Sequence, residues 1–338
     1  MAEISASRDV VELTARLMEI DSTSGQEGAV VDWLENYLAG TDWKVARIPV
    51  SPGRDDLLAT TGSDPEVTLS THLDTVPPFI PPRLDGETLW GRGACDAKGI
   101  AASMIFAAEQ LRQQRVSAAL LFVVGEEVTH DGAVAANRVP TTSKVLINGE
   151  PTESTLAIGT KGAMRFTLRT RGQAAHSAYP HLGRSAITEL VQLLGEIDLL
   201  ELPRDEQLGD TTVNIGVISG GVADNVMAPE AEARLMARLV TPPDTLATLL
   251  REWVGDRAEL EIGITVELAR LGTLPGFPTS VAAYATDIPK LTKWGKPYLF
   301  GPGSIHVAHR DDGHVRVGEL RDAVDAYVRI ATRALTAL

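Results

Sequence analysis

The sequence predicts an α/β fold: a central mixed, largely parallel sheet between helices, interrupted by an inserted α+β domain. Three observations carry this. Short apolar, β-branched runs alternate with helical periodicity through the first part of the chain, the rhythm of strands joined by crossover helices. Acidic and histidine residues stand just beyond strand-like runs at 67–71, 119–124, 144–148 and 297–300, where open α/β sheets gather their ligands. Near Gly159 the pattern becomes one-sided alternation, and after residue 271 the earlier style returns.

The elements follow in order. Residues 10–20 and 28–38 carry helical periodicity, 67–70 reads as a short buried strand, and 98–114 as a helix with an Ala/Ile/Met/Phe face. Residues 119–124 and 145–147 are again β-branched strands. Met164, Phe166 and Leu168 then alternate with polar residues, as in a strand with one solvated face. A helix at 185–199, strands at 211–219 and 232–240, a helix at 244–254 and a strand at 261–268 complete a four-stranded antiparallel sheet with two helices on one face. That insertion spans roughly 110 residues, a normal domain size. A strand at 298–300 and a closing helix at 317–337 return to the first domain. The expected division is 1–158 with 271–338 as the metal-binding catalytic domain, and 159–270 as an inserted lid and dimerisation domain. The Pro-rich stretch 76–82 reads as a stiff loop rather than a linker.

Composition narrows the partners. At 338 residues the chain is long for a single core. A formal charge of −14 leaves no basic patch for phosphates, which excludes nucleic acid, and fits an acidic cytoplasmic protein. Residues 1–12 show no basic region followed by an apolar stretch, so no signal peptide is expected. No apolar run approaches the roughly 20 residues needed to cross a bilayer. The single Cys95 rules out an internal disulfide and reads as a packed small residue in a reducing compartment.

The chemistry lies in five polar motifs. His72 ends a strand, and Asp74 can turn back to fix its imidazole. Asp96 lies at a helix entrance within Gly91-Arg92-Gly93-Ala94-Cys95-Asp96-Ala97-Lys98-Gly99, placed either to cap the helix or to bridge two cations. Glu126 and Glu127 follow a strand directly, so one can bind metal while its neighbour serves as a general base; the alternative is a solvated helix start. Glu150 repeats that placement at a third strand end, and His306 or His309 offers a last ligand after Gly301-Pro302-Gly303. A carboxylate-rich set with imidazoles suits one or two divalent ions of the zinc type.

Taken together, Ser70-Thr71-His72-Leu73-Asp74-Thr75-Val76-Pro77, the Gly91–Gly99 motif, Gly125-Glu126-Glu127 and Gly149-Glu150-Pro151-Thr152 resemble the two-zinc aminoacyl hydrolases. That family includes acetylornithine deacetylase, succinyl-diaminopimelate desuccinylase, aminoacylase and glutamate carboxypeptidase. The resemblance covers nearly the whole chain, with motifs in the right order and the right domain insertion. It implies that His72 and Glu150 bind one zinc, Glu127 and His309 the other, and that Asp96 bridges them. It makes Asp74 the residue that orients His72, and Glu126 the base and later the acid. It favours His309 over His306, because the family places its final histidine at this Ala-His pair. Gly313 departs from the pattern, where the usual continuation is an acidic pair ending in Glu.

For the insertion, the resemblance assigns His176, in Gly172-Gln173-Ala174-Ala175-His176-Ser177-Ala178-Tyr179-Pro180, to the partner subunit's oxyanion, and so implies a homodimer. It places Asn225 against substrate and Arg238 on the substrate α-carboxylate, for which a surface ion pair with Glu232 or a neighbour is the alternative. Gly303 and Ser304 would supply backbone donors to the same carboxylate. The implied reaction is hydrolysis of an N-acyl-L-amino acid by a metal-activated water, with zinc in the sites and cobalt able to substitute. The short chain and the Gly301-Pro302-Gly303 turn lean toward the acetylornithine and acetyl-lysine branch; a dipeptidase or carboxypeptidase and a non-catalytic metal-binding homologue are the alternatives.

Overall fold

The computed structural model describes residues 9–338, so the first eight residues of the segment read above for a signal peptide lie outside it. The chain forms two compact units. One runs to Ile158 and takes in Leu271–Ser280 and Thr286–Leu338; the other comprises Gly159–Arg270 and Val281–Ala285.

In the first unit six strands form one sheet in the order Lys44–Ser51, Arg54–Thr60, Ala118–Val123, Val67–His72, Val145–Asn148 and Lys296–Leu299. Only Arg54–Thr60 runs against the rest, so the sheet is mixed and largely parallel, as expected. Three of the parallel strands, Val67–His72, Ala118–Val123 and Val145–Asn148, are buried at every position. Burial on both faces explains why they read as continuous runs rather than alternations. Leu120 and Phe122 share one core with residues of the helices Val10–Met18, Gly28–Ala39, Lys98–Gln113 and Val317–Thr336. Leu121 and Val123, pointing the other way, pack with Ala133, Ala136 and Trp294. In-register pairing sets the strand ends side by side: His72 opposite Val123, and Asn148 opposite Leu299.

The hairpin Lys44–Ser51/Arg54–Thr60 was not among the expected strands. Adjacent Val45 and Ala46 blur the alternation there and Pro49 argues against a strand, so the usable signal was the Pro52-Gly53 turn, with Gly53 at φ +77°. The hairpin buries Asp56, whose Oδ1 accepts the Val124 N–H at 3.0 Å while Oδ2 has no partner. Burial, working against the Val124 bond and with Asp287 and Asp131, pushes this carboxyl from 3.8 up to about 8. A raised acid contributes stability at low pH that is lost as pH climbs through 3.8 toward 8. Asp56→Asn is therefore expected to flatten the fall in melting temperature over that pH range; an undiminished fall would contradict the assignment.

The second unit is a four-stranded sheet in the order Thr212–Gly220, Glu230–Leu239, Gly162–Arg171 and Glu259–Val266, antiparallel throughout. Met164, Phe166 and Leu168, with Ala231, Ala233, Leu235, Ala237 and Leu239, form one face. The helices Ala186–Gly195 and Pro243–Val254 bury Leu190, Leu193, Leu246 and Leu250 against that face. Ser185 caps the first helix through Thr188 N–H, and the expected helix to 199 breaks into a separate 3₁₀ turn, Ile197–Leu199.

Candidate metal centre

His72 closes the central strand of the first unit, and Leu73 N–H still donates to Val123 at 2.9 Å, so the ring leaves from fixed backbone. Its Nδ1 lies 2.9 Å from the Asp74 carbonyl oxygen and 3.5 Å from Asp74 Oδ1. Its Nε2 is thereby aimed at Asp96 Oδ1, 3.0 Å away, with Glu150 Oε2 at 4.0 Å. Tying one ring nitrogen back to fix the other is how imidazole ligands are oriented. The Asp74 carboxylate also accepts Ser24 Oγ at 2.8 Å and the main-chain N–H groups of Glu126 and Glu127 at 3.1 and 3.2 Å. One buried carboxylate thus locks the His72 loop to the Glu126–Glu127 turn.

Asp96 does not cap its helix. The N-cap of Lys98–Gln113 is Ala97, which makes no side-chain capping bond. Asp96 instead places Oδ1 on His72 and Oδ2 3.4 Å from His309 Nε2, and Glu127 Oε2 lies 3.1 Å from the same nitrogen. Two donor groups result, His72–Asp96–Glu150 and Asp96–Glu127–His309, with ligand atoms of each within 4.8 Å of one another. Gly149 lets the Glu150 strand end approach the helix, because a Cβ there would stand 2.3 Å from Ile100 Cγ2. Gly125, at φ +77°, turns the chain so that adjacent glutamates diverge. Glu127 faces Asp96 and His309, whereas Glu126 Oε1 lies 3.9 Å from His130 Nδ1, which itself meets Asp287 Oδ1 at 2.8 Å.

The electrostatics follow from crowding. Burial raises the Glu126 carboxyl well above its ordinary range, and Glu150 adds to it. Glu150 is carried well up by burial, against His72 and with Asp96; Glu127 is raised by burial and Asp96. Burial opposes ionisation of Asp96 too, but hydrogen bonds from His309 and His72 hold it below the usual carboxylate range. Bonding to Asp96 and Glu127 pushes His309 up to about 10. Burial works against a charged His72, yet its bonds to Asp74 and Asp96 carry it well above 6.5. Two imidazoles do not neutralise this many buried carboxylates, and Glu150 Oε1 is buried without a hydrogen-bond partner. The donor set therefore fits divalent cations, which would favour the ionised forms.

The structure gathers His72, Asp74, Asp96, Glu126, Glu127, Glu150 and His309 at the strand ends. His306 stays out, with an exposed side chain whose Nε2 lies 4.0 Å from Glu153. Gly303 accepts the Glu153 N–H at 2.9 Å, and Ser304 Oγ donates to the Glu153 carboxylate at 2.7 Å. Cys95 is buried, and burial pushes its thiol up, which disfavours the thiolate a nucleophile needs. His176, Asn225 and Arg238 belong to the second unit. There the Ala178 N–H donates to His176 Nδ1 at 3.2 Å, and Ser177 N–H to the Asn225 carbonyl at 2.9 Å. Arg238 is half-buried on the sheet face opposite the helices, while Glu232 pairs with Arg169 at 2.7 Å. Ser24, His130, Asp287 and Arg92 were not singled out in the sequence; of these only Arg92 lay inside a recognised motif.

Comparison with known proteins fits this arrangement. The model of a peptidase dimerisation domain matches residues 158–261. A peptidase M20 domain-containing protein of Schizosaccharomyces pombe is 37% identical over 340 residues, covering 97% of this chain and 85% of that protein. The chain belongs to the M20 peptidase family. A probable carboxypeptidase of Aspergillus clavatus is 36% identical, covering 94% of this chain and 81% of that one. Among solved M20-like folds, a tripeptidase from Staphylococcus aureus superposes with a TM-score of 0.80 at 18% identity, covering 97% and 98% of the two chains. A dinuclear metal-binding M20 peptidase from Bacillus subtilis gives 0.69 at 16% identity, covering 96% and 98%. As an M20 protein the chain is a hydrolytic enzyme, and no helix among its described residues is long and apolar enough to cross a membrane.

Proposed function

We propose that this M20 enzyme hydrolyses the amide bond of an N-acyl-L-amino acid, as an acetylornithine- or acetyl-lysine-type deacylase or a desuccinylase. The observation that carries the reading is Asp96 shared by two ligand groups, with Glu126 beside them and turned out of both. Zinc is the proposed metal, with cobalt able to substitute. Held by these residues, two cations would supply Lewis-acid polarisation of the acyl carbonyl and a lowered pKa for water. Glu126 accepts the proton of the attacking water and returns it to the leaving amine nitrogen. His176 donates to the oxyanion in the partner subunit's site, Arg238 holds the α-carboxylate, and Asn225 with the Gly303 and Ser304 backbone completes the substrate contacts.

A homodimer is part of the reading. It is supported by the dimerisation-domain match and by exposed Ile215, Val217 and Ile218 on the edge strand Thr212–Gly220. If His176 acts across the dimer, mixing inactive His176→Ala and Glu126→Ala chains should restore activity through mixed dimers, to about a quarter of native under random pairing. No recovery, with mixed dimers formed, would place His176 outside the partner's site. Cytoplasmic residence is proposed from the acidic composition and the lone buried thiol.

The second reading is a carboxypeptidase or dipeptidase with the same chemistry on a peptide, favoured by the Aspergillus relative's name. A non-catalytic metal-binding homologue is disfavoured, because Asp96 and Glu126 are both present. Amine release from N-acetyl and N-succinyl amino acids and dipeptides, with zinc- or cobalt-loaded protein, separates them. N-acetylornithine or N-acetyl-lysine as best substrate supports the deacylase; preference for dipeptides overturns it in favour of the peptidase.

A further inference from the structure

We propose that Arg92 is a positioning residue that sets the second ligand group, by holding the loop that carries His309 against the loop that carries Asp96. This rests on the two-cation reading above. Arg92 is 2% exposed, and its side-chain hydrogen bonds run to main-chain carbonyls of two separate segments. Nη1 donates to Ala308 O at 2.7 Å and Arg310 O at 3.2 Å, the carbonyls on either side of His309. Nε reaches Pro78 O at 3.4 Å, in the loop that leaves His72 and Asp74. The backbone runs the same way: Gly91 N–H donates to Gly313 O at 2.9 Å and Arg92 N–H to Ile80 O at 3.0 Å. Trp90 pairs with His314 in a small sheet just before and after these two loops. One buried guanidinium therefore joins three loops, each bearing or following a candidate ligand.

The two groups differ in how much else fixes them. His72 ends a fully buried strand, and its Nδ1 is tied by Asp74. His309 follows the four-residue helix Ile305–Ala308, and its side chain is 55% exposed. Apart from its contacts to Asp96 and Glu127, little packs against that ring, so the carbonyls flanking it are where the backbone that presents it is held. The rigid planar guanidinium holds Nε and Nη1 in fixed, different directions toward the two segments, a geometry that a lysine ammonium cannot copy. Loss of Arg92 should therefore weaken the Asp96–Glu127–His309 group and spare His72–Asp96–Glu150.

The test is a Co²⁺ titration of chelator-stripped full-length protein, followed by calorimetry and visible absorption. Native protein, Arg92→Met, Arg92→Lys, His309→Ala and the Arg92→Met/His309→Ala double variant are compared. Expected are two ions in the native protein, a first ion unchanged in Arg92→Met, and a second bound about 10–100-fold more weakly, the usual effect of losing a ligand-orienting partner. The double variant should bind no more weakly than His309→Ala alone. Equal weakening of both ions, an unchanged second ion, or additive losses in the double variant would each overturn the inference. Should Arg92→Met not fold by circular dichroism, Arg92→Lys carries the same comparison. Fewer than two ions in the native protein would instead overturn the two-cation reading itself.

Discussion

Glu126→Gln is expected to lower amide hydrolysis by about 10²–10⁴-fold, the range set by losing a positioned general base, while leaving two cations bound. Glutamine keeps the shape of the side chain and removes its capacity to take a proton. Glu126 lies outside both donor groups that include Asp96, and its carboxylate faces His130 and Asp287. Its backbone N–H on Asp74 survives the substitution, so the turn that delivers Glu127 should keep its geometry. Metal content and turnover measured on one preparation check this. Retained full turnover would remove Glu126 from the chemistry, and lost metal would make it a ligand.

Asp96→Asn is expected to abolish hydrolysis for a different reason, by weakening both cation sites at once. The native carboxylate presents one oxygen to His72 and the other to His309. An amide offers one neutral carbonyl oxygen, and its nitrogen is a donor facing groups that must also bind metal. A ligand that binds only the folded state raises stability by RT ln(1 + [L]/Kd), so the gain grows with ligand concentration and affinity. Native protein should therefore melt several degrees higher with added zinc, and Asp96→Asn should show little of that shift. A full zinc-dependent shift in the variant would mean that Asp96 is not shared.

Much of the candidate site was legible because it sits at strand ends. His72, Glu126–Glu127 and Glu150 each follow a run that buries on both faces, so the change from apolar to acidic is abrupt in the sequence. Asp96 was ambiguous locally, since a helix entrance accepts a capping aspartate equally well; Ala97 at the N-cap and the distances from Asp96 to His72 and His309 set it apart from a cap. The supporting residues were not legible, because their partners are remote. Ser24 meets Asp74 across 50 positions, His130 meets Asp287 across 157, and Arg92 meets Ala308 across 216. No local periodicity encodes such contacts, and Asp287 reads only as the start of a short turn. In the fold, the alternating strand Gly162–Arg171 announced its one-sided sheet, whereas the strand after Trp43 was obscured by the adjacent apolar pair Val45-Ala46 and by Pro49, which argues against a strand.

The most direct test of a shared two-cation hydrolytic centre is metal content and amine release measured together in native and Asp96→Asn protein, before and after chelator treatment and zinc restoration. The account predicts two ions per native chain, hydrolysis that disappears with the ions and returns with them, and neither property in Asp96→Asn. Hydrolysis that persists in metal-free native protein, or two ions held undiminished by Asp96→Asn, would contradict it.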